Sequence, residues 1–207
     1  MIKSTMKRPI TAIDLFSGCG GLTAELKLAG YTVIGAVEIE TKARETYSLN
    51  HPEVPLIGSD IRNLSTTKAK KLLGIKKGGL DLLAGCPPCQ GFSTLRNKNK
   101  SSTSDDSRNN LIEDFERFAI ELRPKLIMME NVAGLAGYSK FQNFIKNLEH
   151  SGYSVEYKIL DVSRFGVPQR RKRLILSASR VGEAKLAQPD ELPKVTVREA
   201  IGSLPIA

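Results

Sequence analysis

The sequence has no tryptophan, two histidines and only three cysteines in 207 residues. So few cysteines exclude a small scaffold held by disulfides. Because MIKSTMKRPI has no apolar core or cleavage site of a secretory signal, free thiols in the cytoplasm are expected. No apolar run approaches the roughly 18 residues of a membrane-spanning helix. The apolar content of 41% and the charged content of 26% exclude a disordered or collagen-like chain and predict a globular domain.

Acidic residues are too few to balance the basic ones. Lysine and arginine number 31 against 22 aspartates and glutamates, which gives a net charge of +9. This excess favours a polyanionic partner without identifying one. The positive charge is concentrated in residues 164–180, a segment without an acidic residue that would attract a phosphate backbone. The basic residues of this segment are Arg164, Arg170, Arg171, Lys172, Arg173 and Arg180.

Short apolar runs alternate with helical patterns along most of the chain. Strands are predicted at 10–15, 31–37, 54–57, 80–84 and 125–129, and a closing hairpin at 153–160 and 173–178. Helices are predicted at 22–30, from a Thr41 cap to His51, at 111–122 with Asp106 or Ser107 as cap, and at 141–148. This alternation predicts an α/β fold with a doubly wound, mostly parallel sheet and helices on both faces.

Two segments lack this alternation. Residues 96–108 (RNKNKSSTSDDSR) are polar and of low complexity, which predicts a solvated mobile loop; because it follows a cysteine motif, it is also a candidate lid. No further element is predicted after Ser179. We therefore predict a catalytic domain over 1–180 and a linker over 181–207.

Chemically informative side chains follow the predicted strands. Because ligands bind beyond the carboxyl ends of strands in open α/β sheets, these side chains are expected to meet at one edge. They are Phe16, Glu38, Asp60, Cys89 and Glu130.

The first strand ends in a glycine loop, FSGCGG, over 16–21. It lacks the G-x-G-x-x-G spacing of dinucleotide folds and the Lys-Ser/Thr of a phosphate loop, so a nucleoside without a pyrophosphate fits better. Glu38 is expected to accept hydrogen bonds from ribose hydroxyls, Asp60 to take a base amino group and Phe16 to offer a stacking surface. The alternative is a tight turn without a ligand.

Cys86 and Cys89 in GCPPCQGFS allow three interpretations. A zinc site needs four ligands, and only Cys19, His51 and His150 remain to complete it. A redox pair similar to thioredoxin would follow a strand in this way. In the third interpretation Cys89 is a nucleophile presented by the rigid Pro-Pro and Cys86 is buried packing.

Two further motifs carry charge beside apolar strands. Glu130 follows a wholly apolar strand, so burial should raise its pKa and allow it to hold or donate a proton; the alternative is a helix cap. In Gln169–Arg173 (QRRKR), alternation puts Arg171 and Arg173 on one face and Lys172 opposite. The alternative for this cluster is a solvated face.

Taken in order, these motifs resemble those of the cytosine-C5 DNA methyltransferase family. The matching residues are the Phe16–Gly21 loop, Glu38, Asp60, Pro87-Pro88-Cys89-Gln90, Asp106-Ser107-Arg108 with Leu111, Glu130-Asn131-Val132 and Gln169-x-Arg171-x-Arg173. TVREAIGSLP over 196–205 also resembles the stretch that precedes the family's target recognition domain.

The resemblance implies a Rossmann-like, S-adenosylmethionine-dependent methyltransferase without a metal, which acts on a cytosine flipped from double-stranded DNA. Its implied catalytic residues are Cys89, which adds to C6, Glu130, which binds and protonates N3, and Arg171 and Arg173, which hold the base and its phosphate. The implied cofactor residues are Phe16, Ser17, Gly18, Gly20, Gly21, Glu38, Ile39, Asp60, Ile61, Pro88 and Leu111. The implied substrate residues are Gln90, Ser93, Asn131 and Gln169.

The sequence departs from the family in two ways. Ile39 stands where an aromatic residue often follows the ribose acid, which weakens one stacking contact. The recognition domain and the last cofactor segment of the family are not matched, so we expect weak or no sequence-specific methylation by this chain alone, and a second subunit is a candidate partner. Two alternatives stay open: an RNA cytosine-C5 methyltransferase and a non-catalytic subunit of a split enzyme.

Overall fold

The computed structural model describes residues 8–88, 111–189 and 193–205. Strands and helices alternate through these ranges. The strands are β1 (Thr11–Leu15), β2 (Thr32–Val37), β3 (Leu56–Gly58), β4 (Leu82–Gly85), β5 (Leu126–Val132), β6 (Ser154–Asp161) and β7 (Lys172–Ser179). The helices are α1 (Gly21–Leu28), α2 (Thr41–Asn50), α3 (Thr66–Leu73), α4 (Leu111–Leu122), α5 (Ser139–His150) and α6 (Val197–Ile201). Short 3₁₀ turns occupy Ile61–Asn63, Ala133–Gly137 and Val162–Phe165.

The seven strands form one sheet in the order β3-β2-β1-β4-β5-β7-β6. Strands β1 to β5 pair in parallel, whereas β7 runs antiparallel to both of its neighbours. The strand order reverses between β1 and β4, and ligands bind at such a switch point in open α/β sheets. The predicted α/β fold with a doubly wound, mostly parallel sheet is therefore confirmed, including the closing hairpin.

Alternate residues of a strand point to opposite faces of the sheet, and helices cover both faces. In β4, Leu83 belongs to a cluster with residues of α4 and α5, whereas Leu82 and Ala84 belong to a second cluster with residues of α1 and α2. Phe115 of α4 and Phe144 of α5 are fully buried and meet edge to face, with ring centroids 5.9 Å apart. Burying each such side chain contributes about 1.5–3 kcal/mol.

Three local predictions need correction. Glu40, not Thr41, caps α2, since its carboxylate accepts a hydrogen bond from the Ala43 N–H. Helix α3 was not predicted, because its TTKAKKLL sequence is short and mostly polar and buries only Thr66 and Ala69. Helix α6 was also missed: it has five residues and none is buried, and it is marked only by its capping box of Thr196 and Glu199.

After β7 the chain turns back beside the edge strand β6. The Ala184 N–H donates to Ser154 Oγ at 3.0 Å, and the Leu186 N–H donates to the Glu156 carboxylate. Further on, Pro189 lines a small cavity with residues from the far end of β6 and the start of β7, among them Asp161 and Lys172. These contacts cover part of a sheet edge that would otherwise expose unpaired backbone groups.

The amino-terminal edge of the sheet is held by Asp81. Its carboxylate accepts hydrogen bonds from Arg8, Lys125 and both the N–H and the hydroxyl of Thr11. Burial opposes the charge of Asp81, but these donors outweigh it and hold the pKa of its carboxyl well below the usual range. Within the described ranges no helix is both long enough and apolar enough to cross a bilayer.

Candidate active site

A pocket of about 330 Å³ lies at the carboxyl ends of the parallel strands. Seven of the predicted cofactor residues line it: Phe16, Glu38, Ile39, Asp60, Ile61, Pro88 and Leu111. Four others that were not predicted complete the wall: Val37, Ser59, Arg62 and Cys86. An apolar floor with two carboxylates at its rim has the size and chemistry of a nucleoside site.

The glycine loop between β1 and α1 contributes Phe16 to this pocket, whereas the other predicted cofactor residues of the loop, Ser17, Gly18, Gly20 and Gly21, do not line it. Phe16 adopts a left-handed backbone conformation (φ 62°), and Gly18 and Gly20 also have positive φ values of 55° and 97°. The Ser17 N–H donates to the Val37 carbonyl at 3.1 Å, which ties the loop to the end of β2. Gly20 caps α1 and Gly21 is its first residue.

Glu38 at the end of β2 contacts the loop directly. One carboxylate oxygen accepts from the Gly18 N–H at 2.8 Å, and the other accepts from the Glu40 N–H at 2.8 Å. A carboxylate oxygen can accept two hydrogen bonds, so each oxygen of Glu38 has capacity left for a hydroxyl group of a ligand.

Asp60 is already engaged by a neighbour. The Arg62 guanidinium donates three hydrogen bonds to its carboxylate, at 2.7 to 3.0 Å, and the Arg62 N–H adds a fourth. These bonds lower the pKa of Asp60, so the group is ionised at neutral pH. A base amino group that binds Asp60 must share it with Arg62, a competitor that sequence reasoning missed.

A buried polar chain behind the loop was also missed. The Thr23 hydroxyl donates to Asp14 at 2.7 Å and lies 2.9 Å from the Tyr47 hydroxyl. Burial raises the pKa of Asp14 to about 7 and that of Tyr47 to about 12. Among the described residues, no partner reaches the second Asp14 oxygen or the Ser17 hydroxyl.

The last turn of α2 holds the outer side of the same loop. The Asn50 amide donates to the Cys19 carbonyl at 2.9 Å, and His51 Nε2 lies 2.8 Å from the Gly20 carbonyl oxygen. The sequence gives no signal for these contacts, since a polar residue in a final helical turn is usually solvated.

Glu130 and Arg173 form an ion pair where β5 and β7 run side by side. The Arg173 Nε and a Glu130 oxygen are 2.7 Å apart, and both side chains are largely buried. Val132 lies opposite Arg173 and Ile175 opposite Glu130 in the ladder, so the ion pair is a diagonal contact on one face of the sheet. Glu130 lies within β5 and does not cap a helix, and Arg173 supplies its compensating charge.

Cys86 corrects one expectation. It was expected to be buried packing, but it is a free, half-buried thiol that lines the pocket beside Glu130. Burial, followed by the charges of Glu130 and Asp14, raises the pKa of the Cys86 thiol to about 12. Cys86 therefore stays protonated at neutral pH and is a poor nucleophile.

Asn131 holds the proline loop that leads to Cys89. Its amide nitrogen donates to the Pro87 carbonyl at 2.7 Å, and its amide oxygen accepts from the Val132 N–H at 2.8 Å. The side chain is buried with both polar ends engaged inside the protein.

Arg171 and Gln169 are exposed in the segment before β7. Their contacts are made by the backbone: the Arg171 carbonyl accepts from the Val162 N–H, and the Gln169 N–H donates to the Val167 carbonyl. Of the predicted basic pair, the structure therefore brings only Arg173 into contact with Glu130.

Several predicted features lie outside the described residues: Cys89, Gln90, Ser93, the Asp106–Arg108 motif and the candidate lid. Within the described part of the chain, no three His, Cys, Asp or Glu side chains come together as metal ligands would.

A parallel sheet with one reversed strand and a glycine-loop pocket at its carboxyl edge defines the fold of S-adenosylmethionine-dependent methyltransferases. A family model described as C-5 cytosine-specific DNA methylase matches residues 10–204. The chain belongs to this family.

Similar proteins agree in both sequence and structure. The Type II methyltransferase M.XorII of Xanthomonas oryzae is 36% identical over 98% of this chain and 48% of its own length. M.AquIA of Picosynechococcus is 32% identical over 90% of this chain and 79% of its own length. The crystal structure of an E. coli prophage protein described as a DNA modification methyltransferase superposes with a TM-score of 0.79 at 32% identity, over 95% of this chain and 55% of that one. The chain thus spans about half the length of M.XorII, but most of M.AquIA.

Proposed function

We propose that this chain is the catalytic part of an enzyme that transfers a methyl group from S-adenosylmethionine to C5 of cytosine in double-stranded DNA. The observation that carries the proposal is the position of Cys86. This residue lines the nucleoside-sized pocket and also contacts Glu130 of the Glu130–Arg173 pair, so the pocket and the pair are neighbours. The names of its relatives, Type II methyltransferases, suggest a role in DNA modification.

The pocket fits the cofactor. Phe16 and Leu111 offer apolar surface to an adenine ring, Glu38 has acceptors for ribose hydroxyls, and Asp60 faces the same space. When bound there, S-adenosylmethionine would supply an electrophilic methyl group.

The residues around Glu130 would act on the flipped cytosine. The Cys89 thiolate would add to C6, which increases the electron density on C5; after C5 has taken the methyl group, loss of the C5 proton to solvent would expel the thiolate from C6. Glu130 would hold a proton at N3 and accept from the exocyclic amino group. Arg173 would keep Glu130 in place and oppose negative charge on the ring. Asn131 would fix the Pro87 carbonyl and so orient the loop that carries Cys89.

The exposed cations before and in the first part of β7 would contact the DNA backbone. Recognition of a DNA sequence would come from polypeptide equivalent to the part of M.XorII that this chain does not match, either joined to this chain or supplied by a second subunit.

The experiment incubates the chain with isotope-labelled S-adenosylmethionine and unmethylated duplex DNA, alone and with the carboxyl-terminal half of a relative added. Label at C5 of cytosine is expected, weak for the chain alone and stronger in the mixture. Cys89→Ser should abolish it and leave binding of S-adenosylhomocysteine unchanged. Label on tRNA and none on DNA would favour the RNA alternative, and cofactor binding without label on either substrate would favour a non-catalytic subunit.

A further inference from the structure

His51 is a buried histidine that the proposed mechanism does not use. It follows the last residue of α2, its side chain is 6% exposed, and it does not line the pocket. Its ring lies against the glycine loop so closely that a Cβ atom on Gly20 would lie 2.3 Å from ring carbon Cδ2 and 2.5 Å from Nε2.

The two ring nitrogens of His51 have opposite roles. The Gly20 carbonyl oxygen only accepts, so the Nε2 atom 2.8 Å away must carry the proton. The Lys27 ammonium only donates, so Nδ1, at 2.8 Å, must accept. These contacts assign the donor role to Nε2 and the acceptor role to Nδ1.

The groups around His51 keep the ring in this orientation. Lys27 also forms an ion pair with Glu53, and the Tyr47 ring lies 5.1 Å from the imidazole, centroid to centroid. Tyr47 leads through Thr23 to Asp14 at the end of β1. His51 is therefore held from α1, from α2 and from the segment after α2.

The loop that His51 contacts is under backbone strain. Gly20 has a positive φ that glycine adopts without strain, but Phe16, whose ring lines the pocket, has a left-handed φ that is unfavourable for a bulky residue. Such a conformation persists only when its surroundings hold it. The end of β2 holds the loop through Glu38, and the end of α2 holds it through Asn50 and His51.

We propose that His51 is a positioning residue for the cofactor loop: by donating from Nε2 to the Gly20 carbonyl, it keeps Phe16–Gly21 in the shape that binds the nucleoside. This inference rests on the proposed cofactor site and adds a residue outside the pocket to it. Asn50 supports the same loop through the neighbouring Cys19 carbonyl.

The test compares three variants of the full 207-residue chain. His51→Leu removes the donor, and His51→Gln restores an N–H at about the position of Nε2. Tyr153→Phe is the matched control, because it removes a buried hydroxyl bond of 2.6 Å to the Pro124 carbonyl at the opposite edge of the sheet. The measurements are urea unfolding, hydrogen exchange of the peptide covering 17–24, and the Kd of S-adenosylhomocysteine.

His51→Leu should increase hydrogen exchange in the peptide covering 17–24. It should also raise the Kd of S-adenosylhomocysteine about tenfold, which corresponds to the loss of one hydrogen bond. His51→Gln should stay within about threefold of the unmodified chain, and Tyr153→Phe should lower stability without changing either value. A Leu variant with unchanged exchange and Kd, or a Gln variant as impaired as Leu, would overturn the proposal.

One outcome separates this inference from the proposed function. If the unmodified chain binds no S-adenosylhomocysteine, the cofactor site fails, whereas exchange in 17–24 still decides the role of His51. If the Leu variant does not fold, His51→Asn, whose shorter amide does not reach the Gly20 carbonyl, takes its place. The Nε2 proton should then also be slow to exchange with water in the unmodified chain, and a rapidly exchanging proton would contradict the proposal.

Discussion

The carboxylate of Glu38 and the backbone N–H of Gly18 are 2.8 Å apart and join the end of β2 to the loop between β1 and α1. The same carboxylate faces the pocket, so its loss would affect both the loop and the ligand. Glu38→Ala should therefore weaken binding of S-adenosylhomocysteine by about 1–3 kcal/mol, measured by calorimetry. Glu45→Ala is the control: it removes an equal charge from an exposed position of α2 and does not line the pocket. Equal losses in the two variants would contradict a ribose-binding role for Glu38.

The high pKa of Cys86 predicts slow alkylation. At pH 8 a thiol with a pKa of about 12 has about a thousandfold less thiolate than an ordinary cysteine, whose pKa is about 8.5. Iodoacetamide labelling followed by mass spectrometry should show Cys86 reacting far more slowly than the exposed Cys19, at a rate that still rises at pH 10. Glu130→Gln should accelerate the reaction of Cys86, since it removes a negative charge from its surroundings. Rapid labelling of Cys86 at pH 7 would disprove the assignment.

Asp14 should make the stability of the fold depend on pH. Its folded pKa of about 7 lies above the unfolded value of 3.8, so its contribution is complete below pH 3.8 and is lost as pH rises towards 7. Asp14→Asn cannot ionise and escapes this loss. In urea unfolding, the free energy of unfolding of the Asn variant relative to that of the unmodified chain should therefore rise by up to about 3 kcal/mol between pH 5 and pH 8.

Asp81→Asn is the matched control for this experiment. The folded pKa of Asp81 is depressed, so its stabilisation is present above pH 3.8 and is lost only at lower pH. The cost of this substitution should stay constant from pH 5 to pH 8. If Asp14→Asn gave an equally constant difference, the buried carboxyl would not be titrating in this range.

Gly20 should tolerate alanine less well than Gly30. Both have strongly positive φ values, 97° and 86°, but a Cβ atom at Gly30 meets nothing within 4 Å, whereas one at Gly20 meets the His51 ring. Gly30→Ala should cost about 1–2 kcal/mol for its backbone alone, and Gly20→Ala about 1–3 kcal/mol more for the clash. Chemical denaturation measures both. Adding His51→Ala to the Gly20→Ala variant should restore part of the lost stability. If no stability is restored, the clash does not involve the His51 ring.

The sequence was sufficient to predict most of the sheet, because β1, β4 and β5 are built mainly from apolar residues. It also predicted that Phe16, Glu38 and Asp60 would share a pocket, since parallel strands end at one edge. The sequence did not predict which side chains bond to one another. The Arg62 bond to Asp60, the Asn131 bond to Pro87 and the His51 bond to Gly20 each depend on local or long-range geometry that periodicity does not contain.

The path of the chain after β7 has an architectural consequence. Strand β7 starts beside the carboxyl end of β5 and ends at the opposite edge of the sheet. The contacts of Ala184 and Leu186 then carry the backbone back along β6. By Pro189 it is again beside Asp161 and Lys172, close to where the basic segment begins. A module fused shortly after this point would start beside the basic residues that we propose contact DNA. Domain exchange between relatives at this junction would therefore need no long tether, and the core sheet would act as a fixed base for any module joined there.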